Sequence, residues 1–350
     1  MTDNGGISRR EMLRNAALGS IGLGLLGGAN VSAASSDSLL QRLIEGTKAL
    51  NKTMVGVPFE KRDVVRVAIV GTGLRGTSIL SEFLHLPNVR ITALCDVVQT
   101  KVDRARVMVE KAGQPTPATF VTGERGYEDL VKRDDVDFVY IATPWEWHTP
   151  QALAAMNAGK HTGTEVPSAY TLEDCWKLVD TSERTRRHCM LMENCCYDYD
   201  ELLVLNMVRA GLLGEIVHGE GAYNHDLREI LFETRDEGLW RRRHHTLRDS
   251  NLYPTHGLGP VANYMDINRG DKFEYMVAMN SASLGLQQYR KDHLKPDDPR
   301  QKEVYKTGDY STNLIKTNKG RTILVQHNVS SPRPYDRINL IQGTKGIFRD

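Results

Sequence analysis

Over its first half the chain alternates short β-branched runs with stretches of helical apolar spacing, which predicts a parallel sheet flanked by helices. Val64 to Val70 is a run of strand length, bounded by charge on one side and glycine on the other. Thr77 to Leu86 and Lys101 to Ala112 read as helices, Val89 to Leu94 and Phe138 to Ala142 as further strands. Beyond residue 168 the pattern changes. Thr171 to Arg187 and Glu201 to Ala210 keep helical spacing, while His218 to Ala222, Phe273 to Met279, Thr322 to Val329 and Arg337 to Gln342 read as strands. The alternating runs among them predict an open, mostly antiparallel sheet with one face exposed, a surface that often supports homo-oligomers. The fold class expected is α/β, with a doubly wound parallel sheet over 63–168 and an α+β domain over 169–350. Gly346-Ile347-Phe348 reads as a strand with no partner after it, so the second domain is expected to be incomplete at its C-terminus.

The N-terminus follows neither pattern. Ser8-Arg9-Arg10-Glu11-Met12-Leu13 sets two arginines before a glycine-rich apolar run, Ala16 to Ala29, and Val31-Ser32-Ala33 offers small residues for cleavage after Ala33. This is the form of a twin-arginine export signal over 1–33, read by the twin-arginine translocase, and it implies a periplasmic or secreted protein. The apolar run is too short to span a bilayer and no cysteine follows it, so no membrane anchor is expected. Residues 34–62 read as a linker with a short helix carrying Leu39, Leu40, Leu43 and Leu50.

Charge and cysteines narrow the chemistry. Lys and Arg number 45 against 44 Asp and Glu, and no basic stripe with interleaved aromatics appears, so nucleic acid is not an expected partner. The cluster Arg241 to His245 reads as a local pocket or a solvated turn. The five cysteines include the adjacent Cys195 and Cys196 and form no Cys-x-x-Cys pair, which favours neither a disulfide framework nor zinc. His148, Glu165 and His256 lack tight ligand spacing, so no metal is assigned.

Gly71-Thr72-Gly73-Leu74-Arg75-Gly76 directly follows the first strand and opens the first helix. The first glycine permits the tight turn, the second lets a pyrophosphate approach the backbone, and the third lets helix pack on strand. Asp96 ends the second strand twenty residues after Gly76, where an acid accepts hydrogen bonds from ribose hydroxyls and repels a 2′-phosphate. The expected domain is therefore a Rossmann domain, and the expected cofactor is NAD. At the end of the strand Phe138 to Ala142, the loop Trp145-Glu146-Trp147-His148 is placed to pack the nicotinamide half.

With these motifs the chain resembles the glucose–fructose oxidoreductase and inositol dehydrogenase superfamily, which has a Thr-Pro-x-x-x-His loop and then Glu-Lys-Pro. Here Glu165-Val166-Pro167 stands at the second place, and the lysine that assists hydride transfer in the dehydrogenases is absent. Glu165 to Tyr170, Met192 to Tyr197 and Tyr253 to Pro260 together resemble family 109 glycoside hydrolases, the NAD-dependent α-N-acetylgalactosaminidases. Carried over residue by residue, the resemblance implies NAD contacts at Leu74, Arg75, Asp96, Trp145, Glu146, Trp147, His148, Glu165, Val166 and Asn194. It implies sugar contacts at Tyr223, Arg241, Tyr253, Pro254, Thr255, His256 and Tyr335. It also implies a retaining mechanism in which the cofactor oxidises C3 of the sugar, a base removes the C2 proton, the aglycone leaves, water adds and the ketone is reduced again. The substrate so implied is terminal α-N-acetylgalactosamine. His256 is the first choice for the base, with Tyr253 as proton relay or hydroxyl contact, and the choice between them stays open. His225, His244 and His245 read as packing or rim residues. Two other functions remain: an exported sugar oxidoreductase with net hydride transfer, and a non-catalytic cofactor- or glycan-binding protein.

Overall fold

The computed structural model describes residues 53–350; the export signal and the helix around Leu39 to Leu50 lie outside the described residues. The β-branched runs become strands β1 (Val65–Val70), β2 (Val89–Cys95), β3 (Ala118–Phe120), β4 (Phe138–Ile141), β5 (His161–Thr164) and β6 (Cys189–Leu191). They form one sheet in the order β3-β2-β1-β4-β5-β6, with every neighbouring pair parallel. Helices α1 (Leu74–Leu84), α2 (Gln99–Lys111), α3 (Tyr127–Leu130), α4 (Trp145–Asn157) and α5 (Leu172–Thr185) connect them. Val67 and Ile69 pack against Leu80, Val102 and Val109 on one face. Ala68 and Val70 share the other face with Ala152 and Met156. Burial on both faces explains why β1 reads as an unbroken apolar run.

The parallel sheet runs past the boundary at 168. Helix α5 belongs to it as the crossover that brings β6 beside β5. A strand as short as Cys189–Leu191, with Met190 and Leu191 exposed, carries no period that sequence reading can detect.

At the entry to β1 and β4, Arg66 donates to Asp137 from Nε (2.9 Å) and Nη2 (2.6 Å), and its amide donates as well (3.0 Å). These hydrogen bonds hold the buried Asp137 carboxyl below its usual range, against its desolvation. The stability they contribute is present above the unfolded carboxylate pKa and is lost as pH falls through the folded one. Asp137→Asn is expected to cost about 1–2 kcal/mol at neutral pH, the lower part of the charge-assisted range because Arg66 is partly exposed. Denaturant unfolding at neutral and acid pH checks this. The gap should close in acid, and equal stabilities at neutral pH would contradict it.

The second domain supplies α6 (Tyr199–Arg209), β7 (Ile216–Asn224), α7 (Arg228–Phe232), α8 (Arg241–Leu247), α9 (Thr255–Tyr264) and β8 (Phe273–Asn280). It continues with α10 (Gly285–His293), β9 (Ser311–Thr317), β10 (Thr322–Asn328), β11 (Leu340–Gly343) and β12 (Ile347–Arg349). Its sheet runs β12-β11-β7-β10-β9-β8 and is antiparallel except between β7 and β10. The strand read as having no partner after it, β12, pairs with β11 before it. Val204 of α6, Val261 of α9 and Met265 just past it cover one face. Tyr275, Val277 and Met279 of β8 are exposed.

One contact in this domain fixes the site. A Cβ on Gly257 would lie 2.2 Å from the Ala222 amide nitrogen, and one on Gly221 would lie 2.3 Å from the Gly257 carbonyl oxygen. Helix α9 therefore meets β7 backbone to backbone, which sets its first turn, with His256, beside Tyr223.

Candidate active site

A cavity of about 610 Å³ opens at the carboxyl ends of β1, β2, β4 and β5 and is closed on its far side by the second domain. Gly71 turns the chain out of β1 at φ +90°, and a Cβ there would lie 2.6 Å from the Ala142 carbonyl oxygen. A Cβ on Gly76 would lie only 1.8 Å from the Gly71 carbonyl oxygen, so Gly76 sits beneath the turn as a packing residue. Gly73 differs. The nearest atom to its notional Cβ is Lys101 Nζ at 3.9 Å, so the space above the turn is open. Helix α1 begins at this turn without a side-chain cap, which leaves its first amides to face an anion.

Asp96, at the end of β2, accepts from the Thr72 amide (2.7 Å) and from the Val98 amide (3.0 Å). The Thr72 hydroxyl also donates to the oxygen that takes the Thr72 amide (3.3 Å), so the oxygen facing Val98 is the one that retains capacity for a ribose hydroxyl. Open glycine, uncapped helix and strand-end acid together fit an NAD-type dinucleotide.

Glu165 ends β5 and is buried. Arg75 Nε donates to it at 2.7 Å, and the Tyr140 hydroxyl donates to the same oxygen. Arg75 also reaches the Asn194 side-chain oxygen (3.4 Å). Val166, buried before a cis peptide to Pro167, presents no titratable group. Trp145 to His148, expected as a loop, form the first turn of α4. His148 lines the cavity, but its Nδ1 and Nε2 lie 2.7 Å from the Pro167 and Thr143 carbonyl oxygens. Burial lowers its pKa in spite of those partners, so the ring packs between the two strand ends and donates to one of the two carbonyls.

The second domain contributes an aromatic wall. Tyr253 packs 4.6 Å from Tyr223, 4.9 Å edge-on to His256 and 5.9 Å from Trp145, centroid to centroid. Arg241 is buried over Tyr253 (5.0 Å) and Trp145 (5.3 Å) and is paired with Glu237 at 2.5 Å. The basic cluster of the sequence thus opens α8, with Arg241, His244 and His245 buried and Arg243 exposed. Burial raises the Tyr253 and Tyr223 hydroxyls, with Arg241 opposing, so both stay protonated at neutral pH. His256 Nδ1 lies 2.7 Å from Glu193 Oε1. That oxygen also accepts from the Cys195 amide at 3.1 Å. Burial alone would raise the Glu193 carboxyl, but His256 and the Cys195 amide outweigh it and hold the group below its usual range. Glu193, Cys195 and His256 offer ligand-type atoms within 4.8 Å of one another, a grouping other than the one weighed from sequence. The Cys195 thiol is pushed up to about 12 by burial, so it stays neutral.

Most of the residues expected at the site line this one cavity: Gly71, Gly73, Leu74, Arg75, Asp96, Trp145 to His148, Glu165, Val166, Asn194, Tyr223, Arg241, Tyr253 and His256. Three expected sugar contacts do not. Pro254 and Thr255 line a neighbouring cavity, because the chain turns into α9 between Tyr253 and His256. Tyr335 sits behind the wall, 6.1 Å from Tyr223 and 5.0 Å from His225. His244 packs 4.7 Å from Trp145 and reaches Glu146 at 3.7 Å, and His245 is buried. Sequence reading missed Glu193, although it stands inside the motif Met192 to Tyr197. It also missed the strap Asp236, Glu237, Leu239 and Trp240 that lines the cavity's far side, which has no motif.

Comparison with known proteins follows the same division. Residues 65–193 match the oxidoreductase family with NAD-binding Rossmann fold, and residues 197–350 match the C-terminal domain of glycosyl hydrolase 109. A glycosyl hydrolase family 109 protein of Solibacter usitatus is 55% identical, over 98% of this chain and 74% of that one. An alpha-N-acetylgalactosaminidase of Shewanella oneidensis is 48% identical, over 98% and 73%. Among solved structures, scyllo-inositol dehydrogenase from Lactobacillus casei with bound NAD(H) and scyllo-inositol superposes with a TM-score of 0.61 at 17% identity, over 82% of this chain and 76% of that one. Myo-inositol 2-dehydrogenase from Lactobacillus plantarum gives 0.64 at 14%, over 82% and 76%. These two show the fold, whereas the sequence relatives and the C-terminal match show what kind of enzyme it carries. A glycosidase built on an NAD-type oxidoreductase fold, the chain belongs to glycosyl hydrolase family 109.

Proposed function

We propose that the enzyme removes terminal α-N-acetylgalactosamine from glycoconjugates with retention, using one NAD that returns to its starting state in each turnover. The observation that carries this reading is a single cavity with a dinucleotide turn at one end and a histidine–tyrosine wall at the other. An ordinary glycosidase needs two carboxylates free to act on either side of the scissile bond. Here three of the carboxylates lining the cavity are already answered: Glu165 by Arg75 (2.7 Å), Glu237 by Arg241 (2.5 Å) and Asp236 by Lys101 (2.9 Å). When bound, NAD would supply reversible oxidation at C3, which acidifies the C2 proton.

The chain's own residues supply the rest. Glu193 is an acceptor, so the His256 ring donates from Nδ1, which leaves Nε2 as the nitrogen that acts as the base. Tyr253, protonated and 4.9 Å from that ring, is a hydroxyl donor to the sugar or a relay. Tyr223, Tyr253 and Trp145 give the sugar ring an apolar face, with Arg241 fixed behind them. The export signal read over 1–33 accords with a protein that folds around its cofactor in the cytoplasm and leaves already loaded.

The test is hydrolysis of p-nitrophenyl α- and β-N-acetylgalactosaminides, with the anomer of the first sugar released read by NMR. Release from the α-anomer with α-sugar formed first is expected. Steady NADH from free sugars without aglycone release would establish a sugar oxidoreductase instead. Asp96→Ala is expected to leave the fold intact and to narrow the preference for NAD over NADP by roughly tenfold or more, since a carboxylate against a 2′-phosphate is worth over 1 kcal/mol. Titration of the stripped protein with both nucleotides measures it, and an unchanged ratio would remove Asp96 from the ribose site.

A further inference from the structure

We infer that Glu193 is the positioning residue of the reaction, fixing through His256 Nδ1 which ring nitrogen faces the sugar. This rests on the reading of His256 as the base. Two separated motifs meet here. Glu193 closes the segment after β6, and His256 lies in the first turn of α9; their side chains meet at 2.7 Å. Glu193 is itself held rigidly, because Oε1 also takes the Cys195 amide and the side chain is almost fully buried.

The glycines of the second motif make the meeting possible. Gly257 lets α9 touch β7, and a Cβ on Gly259 would lie 3.1 Å from Glu193 Cγ and 2.9 Å from Cys196 Sγ. Thr-His-Gly-Leu-Gly-Pro thus keeps one glycine for the helix–strand contact and one for the acid that holds the histidine. The other groups facing the ring are Tyr223 (5.2 Å) and Tyr253 (4.9 Å), with Cys195 beside Glu193. Arg241 stands over both tyrosines, and His225 lies behind Tyr223. Glu193 is the group among these that is hydrogen-bonded to His256.

A carboxylate at Nδ1 does two things. It keeps the proton there, so Nε2 is always the basic nitrogen, and it stabilises the imidazolium formed when Nε2 takes the C2 proton. The experiment is the pH profile of kcat for NAD-loaded wild type, Glu193→Gln and Glu193→Asp, with bound NAD counted in each. In Glu193→Gln the plateau should fall by about 10- to 10³-fold, and the acid limb should move to lower pH, with NAD content unchanged. Glu193→Asp keeps the charge and should recover part of the plateau with the limb near its wild-type position. It also carries the test if the glutamine variant does not fold. A glutamine variant with wild-type plateau and limb overturns the inference, as does an equal loss in both variants with no movement of the limb, which marks a merely structural acid. If His256→Ala retains wild-type turnover, the base assignment fails and this inference falls with it. If His256→Ala is inactive while Glu193→Gln is wild-type, only the role of Glu193 falls.

Discussion

His256→Ala is expected to retain NAD and lose turnover by about 10²- to 10⁴-fold, the range for removal of a positioned general base. The separation of the two effects follows from where His256 stands. Its backbone belongs to α9 of the second domain, while the glycine turn, the uncapped amides of α1 and Asp96 all belong to the first. Removal of the ring leaves Gly257 against Ala222, so α9 keeps its seat. Release of bound nucleotide by denaturation, alongside kcat on the p-nitrophenyl substrate, distinguishes the cases. Loss of NAD together with activity would mean that the histidine holds the structure and carries no proton.

Gly76→Ala is expected to do the opposite and abolish NAD retention. Its Cβ would sit 1.8 Å from the Gly71 carbonyl oxygen, a backbone atom that cannot turn aside. Either the turn after β1 opens or α1 lifts from the sheet, and Leu80 leaves the core with it. Overpacking at such a contact costs about 3 kcal/mol, and the phosphate site is lost in the same movement. Gly73→Ala is the control, because only Lys101 Nζ at 3.9 Å lies near its added Cβ. That variant should fold with a wild-type Tm but bind NAD more weakly, since the methyl occupies the space through which the pyrophosphate approaches the backbone. Melting curves and nucleotide content of both variants decide. A Gly76→Ala protein with wild-type Tm and full nucleotide would contradict this account of the turn.

Where a residue's role follows from its immediate neighbours in the chain, the sequence showed it. Gly71, Gly73 and Gly76 were read from strand–turn–helix geometry, and the structure places them at the turn between β1 and α1, with Asp96 bonded to it from the end of β2. Tyr253 and His256 were singled out through a motif, and the structure sets them on either side of the entry into α9. Roles set by tertiary contact were less legible. β3 and β6 are three residues each, too short for a period, so the domain boundary fell early. Pro254 and Thr255 were carried along with their neighbours, although a chain entering a helix turns successive side chains to different cavities. Glu193 went unremarked because an acid beside Asn194 and two cysteines reads as ordinary until His256, 63 residues later, is seen against it. Val166 was informative in another way: the missing lysine led away from net oxidation before the cavity was known.

In the proposed reaction hydrolysis proceeds by removal of the C2 proton and returns the cofactor unchanged. The direct measurement is turnover of p-nitrophenyl α-N-acetylgalactosaminide in deuterated water, with C2 of the product examined by NMR and NADH absorbance followed alongside. Aglycone release with deuterium at C2 and no accumulating NADH is expected. Aglycone release with hydrogen retained at C2 would contradict it and return the chemistry to a direct displacement at C1.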